Sequence, residues 1–141
     1  MLQELKYNEL TQKIIGCAMT VHRKMRNGYI ESVYGKCLAI ELKKKGVEFV
    51  QEAEVPIFYD ETIVGKRRVD FIIEQKVMVE IKAMSELTDA HLAQVLNYLE
   101  THHFDVGLLI NFGAKSLQFK RLVHQKREQQ RKNPINPSKS S

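Results

Sequence analysis

The sequence predicts an α/β domain, a mixed sheet with helices packed on it. Three observations predict it. Apolar residues recur with helical spacing from Leu10 to Ile40. Past Gly46 the pattern changes to period two and to short apolar runs. Helical spacing then returns between Asp89 and Thr101, ahead of two more strand-like runs.

Leu10, Ile14, Ala18, Val21 and Met25 place a first helix over residues 8–25, and Asn27-Gly28 breaks it. A second helix over Tyr29–Lys45 carries Val33, Cys37 and Ile40 on one stripe and ends at Gly46. The candidate strands are Val47–Gln51, Val55–Tyr59, Arg67–Ile73, Val77–Lys82, Val106–Asn111 and Leu117–Val123. Asp60-Glu61 and Glu74-Gln75-Lys76 are polar turns between strands. Thr88 is placed to cap a third helix, Asp89–Thr101, with Asp89 complementing its dipole. The expected order is therefore α-α-β-β-β-β-α-β-β. Residues 1–124 read as one domain. Residues 125–141, Gln-, Lys- and Arg-rich and then Pro- and Ser-containing, have the composition of a disordered tail.

Composition narrows the setting. The chain has 141 residues, 43% of them hydrophobic, and no apolar run reaches the ~18 residues of a membrane span. Met1–Lys6 lacks the basic and apolar regions of a signal peptide, and the only cysteines are Cys17 and Cys37, so a reduced, cytoplasmic setting is expected. The formal charge of +5 is uneven. Residues 1–124 hold 17 Lys+Arg against 16 Asp+Glu, whereas 125–141 hold five against one. The basicity lies mostly in the tail, where it either attracts nucleic acid nonspecifically or is simply solvated. No Ser-His-Asp or Cys-His arrangement, cysteine cluster or phosphate-loop spacing is present.

Chemistry concentrates in Val77-Met78-Val79-Glu80-Ile81-Lys82-Ala83. Strand alternation puts Glu80 and Lys82 on one face and Val77, Val79 and Ile81 on the other. The preceding apolar run, Arg68–Ile73, carries the single acid Asp70. If the two strands are neighbours, Asp70 and Glu80 converge, and a divalent cation relieves the repulsion between them. Mg²⁺ suits such a site, and Lys82 can stabilise charge on a phosphoryl group. The structural alternative is a partly buried Asp70–Lys82 salt bridge with Glu80 at a solvent edge. Two further groups lie on helices. Glu31 and Tyr34 share a face in Gly28-x-x-Glu31-x-x-Tyr34, where Glu31 also suits the helix dipole. Gln94 and Tyr98 share a face of the third helix near His91, where Gln94 can hold a water or a phosphate oxygen. His22 lies near the apolar stripe of the first helix, either as a core-edge histidine or beside the site.

Gly28-x-x-Glu31-x-x-Tyr34, Asp70, Glu80-Ile81-Lys82, Gln94-x-x-x-Tyr98 and Val106–Gly113 together resemble the GxxExxY proteins of the PD-(D/E)XK nuclease-like superfamily. The resemblance covers residues 8–124 and includes His22. It implies a restriction-endonuclease-like fold, a mixed sheet flanked by helices. It implies that Asp70 and Glu80 bind Mg²⁺, with Mn²⁺ as a substitute, and that the carbonyl of Ile81 is a further ligand. Glu31 would be the helix-borne acid, orienting a second metal or a water. Lys82 would assist catalysis and Gln94 would position water or substrate, with His22, Tyr34 and Tyr98 behind them. The substrate does not come with the family; the activity expected from the metal site is hydrolysis of nucleic-acid phosphodiesters, DNA or RNA, and nucleases of this superfamily often dimerise to cut two strands. The rival reading is a non-catalytic nucleic-acid- or protein-binding module on the same fold.

Overall fold

A computed structural model describes residues 6–124 of the chain, so the basic tail at 125–141 lies outside the described residues. Helix α1 spans Asn8–Met25 and α2 Glu31–Lys44. Strands β1 (Phe49–Tyr59), β2 (Thr62–Ile73) and β3 (Val77–Lys82) follow, then α3 (Asp89–His102), β4 (Val106–Asn111) and β5 (Gln118–Val123). The strands lie in sequence order in one sheet. Only β3 and β4 run parallel, because α3 carries the chain back between them; every other pair is antiparallel. One core joins α1 and α2 to one face of the sheet, and a smaller core joins α3 to the other. No described helix is long and apolar enough to cross a membrane.

The expected α1 forms with Ile14, Ala18 and Val21 buried. In α2 the buried stripe is Tyr34, Leu38 and Leu42, not Val33, Cys37 and Ile40; Ile40 is 55% exposed. Tyr34 sets that rotation. Its ring stacks on Phe112 with centroids 4.7 Å apart, and its hydroxyl donates to the carbonyl of Arg26. The helix therefore starts at Glu31, after a loop held by the Tyr29 amide on the Tyr34 hydroxyl (3.2 Å). Thr88 caps α3 in a capping box with His91. At the other end of α3, His102 binds the carbonyl of Pro56 in β1 (2.7 Å), fixing the helix against the first hairpin.

The two strands expected at Val47–Gln51 and Val55–Tyr59 are one strand, β1, so the sheet has five strands. The apparent break is a change of face. Phe49 packs in the α1/α2 core, yet Ala53 and Val55 pack in the α3 core. On β2, Ile73 and Phe71 lie in the first core and Val69 in the second. Residues an even number apart on a regular strand share a face, so the β1–β2 hairpin rolls over between Gln51/Phe71 and Ala53/Val69. Glu52 and Asp70 sit at the roll. Glu52 takes φ +55°, and the ladder skips this pair. The polar residues of the roll interrupt the apolar pattern and mimic a turn.

The far end of β3 is fixed by Asn111. Its side chain accepts from the Met84 amide and donates to the Met84 carbonyl, both at 2.9 Å, and also donates to Gln118 (2.9 Å). This clamp requires close backbone approach at Gly113, where a Cβ would lie 2.3 Å from the Met84 nitrogen. Gly113→Ala is therefore expected to cost about 3 kcal/mol of stability. Gly16, exposed in α1 with nothing within 4 Å of a built Cβ, gives the control: Gly16→Ala should add about 1 kcal/mol. Denaturant unfolding of the two variants checks both signs.

Candidate active site

The roll of the β1–β2 hairpin creates the site. Regular pairing between β2 and β3 runs from Ile73/Val77 to Phe71/Val79 and stops. The next residues in register are Asp70 and Glu80, and here side chains replace the backbone ladder. The Ile81 amide donates to Asp70 Oδ2 at 2.7 Å, and the Asp70 amide donates to Glu80 Oε2 at 3.4 Å. Each carboxylate thus satisfies a backbone donor of the opposite strand where the strands part. Val77, Val79 and Ile81 lie in the α1/α2 core as strand parity requires, while Met78 lies in the α3 core. Glu80, two residues on, is 6% exposed.

Burial dominates the electrostatics. It pushes the Asp70 carboxyl above the usual carboxylate range, against the opposing pull of the Ile81 amide, Lys82 and Arg67. Glu80 is raised first by burial and then by the charge of Asp70, with Arg67 opposing. Two carboxylates in one partly dehydrated gap between β2 and β3 therefore resist being charged together. The cation in contact with Glu80 is Arg67, with Nη1 3.5 Å from Glu80 Oε2 and Cζ 3.7 Å from the centroid of the Tyr98 ring. Burial works against the charge of Arg67, but Glu80 and Tyr98 outweigh it and raise its pKa.

Lys82 is half-buried and makes no ion pair among the described residues, although Asp70 feels its charge. The Asp70–Lys82 salt bridge that would have explained these residues structurally is not formed, and Glu80 is not at a solvent edge. Ile81 is buried, its amide committed to Asp70. Glu31 is exposed in the first turn of α2. The structure does not gather it with Asp70 and Glu80: among the described residues no three Asp, Glu, His or Cys side chains form a ligand cluster. The further acid whose charge reaches Asp70 is Glu52, its neighbour at the roll. Gln94 is exposed on α3, one turn before Tyr98. His22 bonds the Ala114 carbonyl through Nε2 (2.9 Å), and Tyr34 is fully buried, so both tie loops together. Arg67 and Asn111 have roles here that sequence reasoning did not assign. The signal for Arg67 was its spacing from Asp70, hidden within Lys66-Arg67-Arg68.

A family model of the PD-(D/E)XK nuclease superfamily matches residues 8–122. The chain belongs to that superfamily. Its mixed sheet with flanking helices is the restriction-endonuclease-like fold. A solved structure, "Crystal structure of SSO0001", is similar in fold, with a TM-score of 0.52 and 20% identity over 65% of this chain. The match covers 48% of that chain, so this PD-(D/E)XK protein corresponds to about half of it. No curated protein matches the sequence. The superfamily is one of nucleases, which generally use divalent metal ions.

A pH dependence follows from the raised carboxyls of this PD-(D/E)XK site. Groups with folded pKa values above the unfolded ones favour folding fully below about pH 4 and lose that contribution as pH rises through the folded values. Asp70→Asn keeps an acceptor for the Ile81 amide and removes one charge. Metal-free melting should therefore rise by a few degrees at pH 7 and match the wild type near the acid limit. A lower melting temperature at pH 7 that vanishes near the acid limit would show that the charge of Asp70 stabilises the fold.

Proposed function

We propose that the chain is a Mg²⁺-dependent nuclease of the GxxExxY kind, hydrolysing nucleic-acid phosphodiester bonds. The observation that carries this reading is the pair of mutually repelling carboxylates, half-buried Asp70 and buried Glu80, beside Lys82, which makes no ion pair among the described residues. Acids that served the fold alone would both be paired, and of these two only Glu80 has an ion-pair contact among the described residues. Both keep raised pKa values and each commits one oxygen to the backbone, Oδ2 of Asp70 and Oε2 of Glu80. The remaining oxygens fit a hard cation. Mg²⁺ binds through one or two carboxylates and retains several waters, so a pair of carboxylates suits it better than Ca²⁺. Mn²⁺ would substitute.

In this reading Asp70 and Glu80 hold the metal, and the Ile81 and Asp70 amides keep both carboxylates oriented. The metal, when bound, supplies Lewis-acid polarisation of a phosphoryl oxygen and a water acidified toward neutrality. Lys82 offers its ammonium to the negative charge that develops on the phosphoryl oxygens. Glu31, exposed on α2, enters by resemblance alone, and Gln94, exposed on α3, as a residue able to hold a water or a phosphate oxygen. The two free cysteines favour a cytoplasmic setting. A second reading, a nucleic-acid- or protein-binding module, is favoured by the near-neutral charge of residues 1–124.

The test is cleavage of single- and double-stranded DNA and RNA with Mg²⁺ or Mn²⁺. Glu80→Gln should lower the rate by about 10³-fold, with loss of metal binding by calorimetry. Lys82→Ala should lower it by about 10²-fold or more and leave metal binding in place. If the wild type neither cleaves nor binds a divalent ion, the binding-module reading takes its place.

A further inference from the structure

Arg67 stands in an unusual relation to the acid pair. Among the described residues it is the one cation in ion-pair contact with either acid. Its guanidinium is held by the Tyr98 ring on one side and by the Arg68 carbonyl, which accepts from Nη1 at 3.0 Å. Arginine suits this position because its planar head stacks on an aromatic ring and still donates at its edge. Its charge is felt by Asp70, Glu80 and His102.

The contact with Glu80 is long. At 3.5 Å it falls well outside the range of about 2.7–2.9 Å for a tight charge-assisted bond. Yet Glu80 is more buried than Arg67, with side-chain exposures of 8% and 27%. A buried carboxylate is thus served by a loosely placed, more exposed cation. That is a poor arrangement for a permanent salt bridge and a good one for a charge that can be replaced.

We propose that Arg67, latched by Tyr98, is the built-in counter-cation of the acid pair: it partly neutralises Glu80 in the metal-free protein and opposes the divalent ion that binds there. The proposal rests on the metal-dependent reading given above. It assigns Arg67 and Tyr98 a positioning role that sets metal affinity. Two cations beside one buried carboxylate repel each other, so removing one strengthens the other's hold.

The experiment compares the melting of the full chain with and without Mn²⁺, and titrates Mn²⁺ calorimetrically, for wild type, Arg67→Gln, Arg67→Lys and Tyr98→Leu. Arg67→Gln should melt below wild type without metal. It should show a larger metal-induced rise, with affinity tighter by roughly tenfold. Arg67→Lys keeps the charge and should stay within about threefold of wild-type affinity. Tyr98→Leu releases the latch while keeping both charges, so its affinity should move in the same direction by less. It carries the test if Arg67→Gln does not fold without metal. A purely structural Arg67 would lower melting equally with and without Mn²⁺, and that result overturns the proposal. So does unchanged or weaker metal affinity in Arg67→Gln and Tyr98→Leu when wild type binds. If neither wild type nor any variant responds to Mn²⁺, the metal-dependent reading fails and the role of Arg67 with it.

Discussion

The roll of the β1–β2 hairpin at Glu52 and Asp70 is the constraint on which the rest depends. A hairpin that stayed on one face would pair with β3 along its length, and backbone groups would fill the space between strands. Because the hairpin changes face, β2 leaves β3 after Phe71, and the amides of Asp70 and Ile81 lose their ladder partners. Buried amides need acceptors. The carboxylates of Asp70 and Glu80 supply them across the gap. The backbone geometry therefore calls for acceptors at just the place where two charges crowd each other. The same roll swings Val69 and Arg67 toward α3, which brings the guanidinium under Tyr98 and beside Glu80.

The surrounding structure holds this tension in place. Val77, Val79 and Ile81 anchor β3 in the larger core, and Asn111 pins the chain just past Lys82. His22 and Asn27 bind the Ala114 and Gly113 carbonyls, tying the α1–α2 region to the same loop. With its supports fixed, the acid pair cannot relax by moving apart. Its remaining outlets are a proton, the partial charge balance from Arg67, or a bound cation.

Much of this was legible in the sequence where the signal is local. Apolar periodicity located α1, α3 and the strands, and alternation in Val77–Lys82 assigned the faces of β3 correctly. Asp70 and Glu80 were conspicuous as lone acids inside apolar runs, and a short turn between their strands implied that they would meet. What failed depended on distant contacts. In α2 the stripes Val33-Cys37-Ile40 and Tyr34-Leu38-Leu42 are both helically spaced, and the stack of Tyr34 on Phe112 decides between them. The roll in β1 disguised one strand as two, because a change of face breaks the alternation as a turn does. Lys66, Arg67 and Arg68 are alike in sequence, and the roll selects which of them turns inward. The proposed roles of Glu31 and Gln94 came from family resemblance, and both side chains are exposed.

The hairpin between β2 and β3 also separates the assembly of the site in time. Asp70 and Glu80 are ten residues apart along the chain, joined by the turn at Glu74-Gln75. They can meet as soon as that short segment exists, since closing a small loop is fast and entropically cheap. The shield comes from farther away. Tyr98 and β4, with Leu109 beside Glu80, are synthesised later and must cross over before they cover it. During synthesis the acids are thus first neighbours in water, where solvent damps their repulsion, and become a strained pair when α3 docks. The crowding of the pair is a property of the finished fold, and an incomplete chain carries the same two acids as ordinary solvated carboxylates.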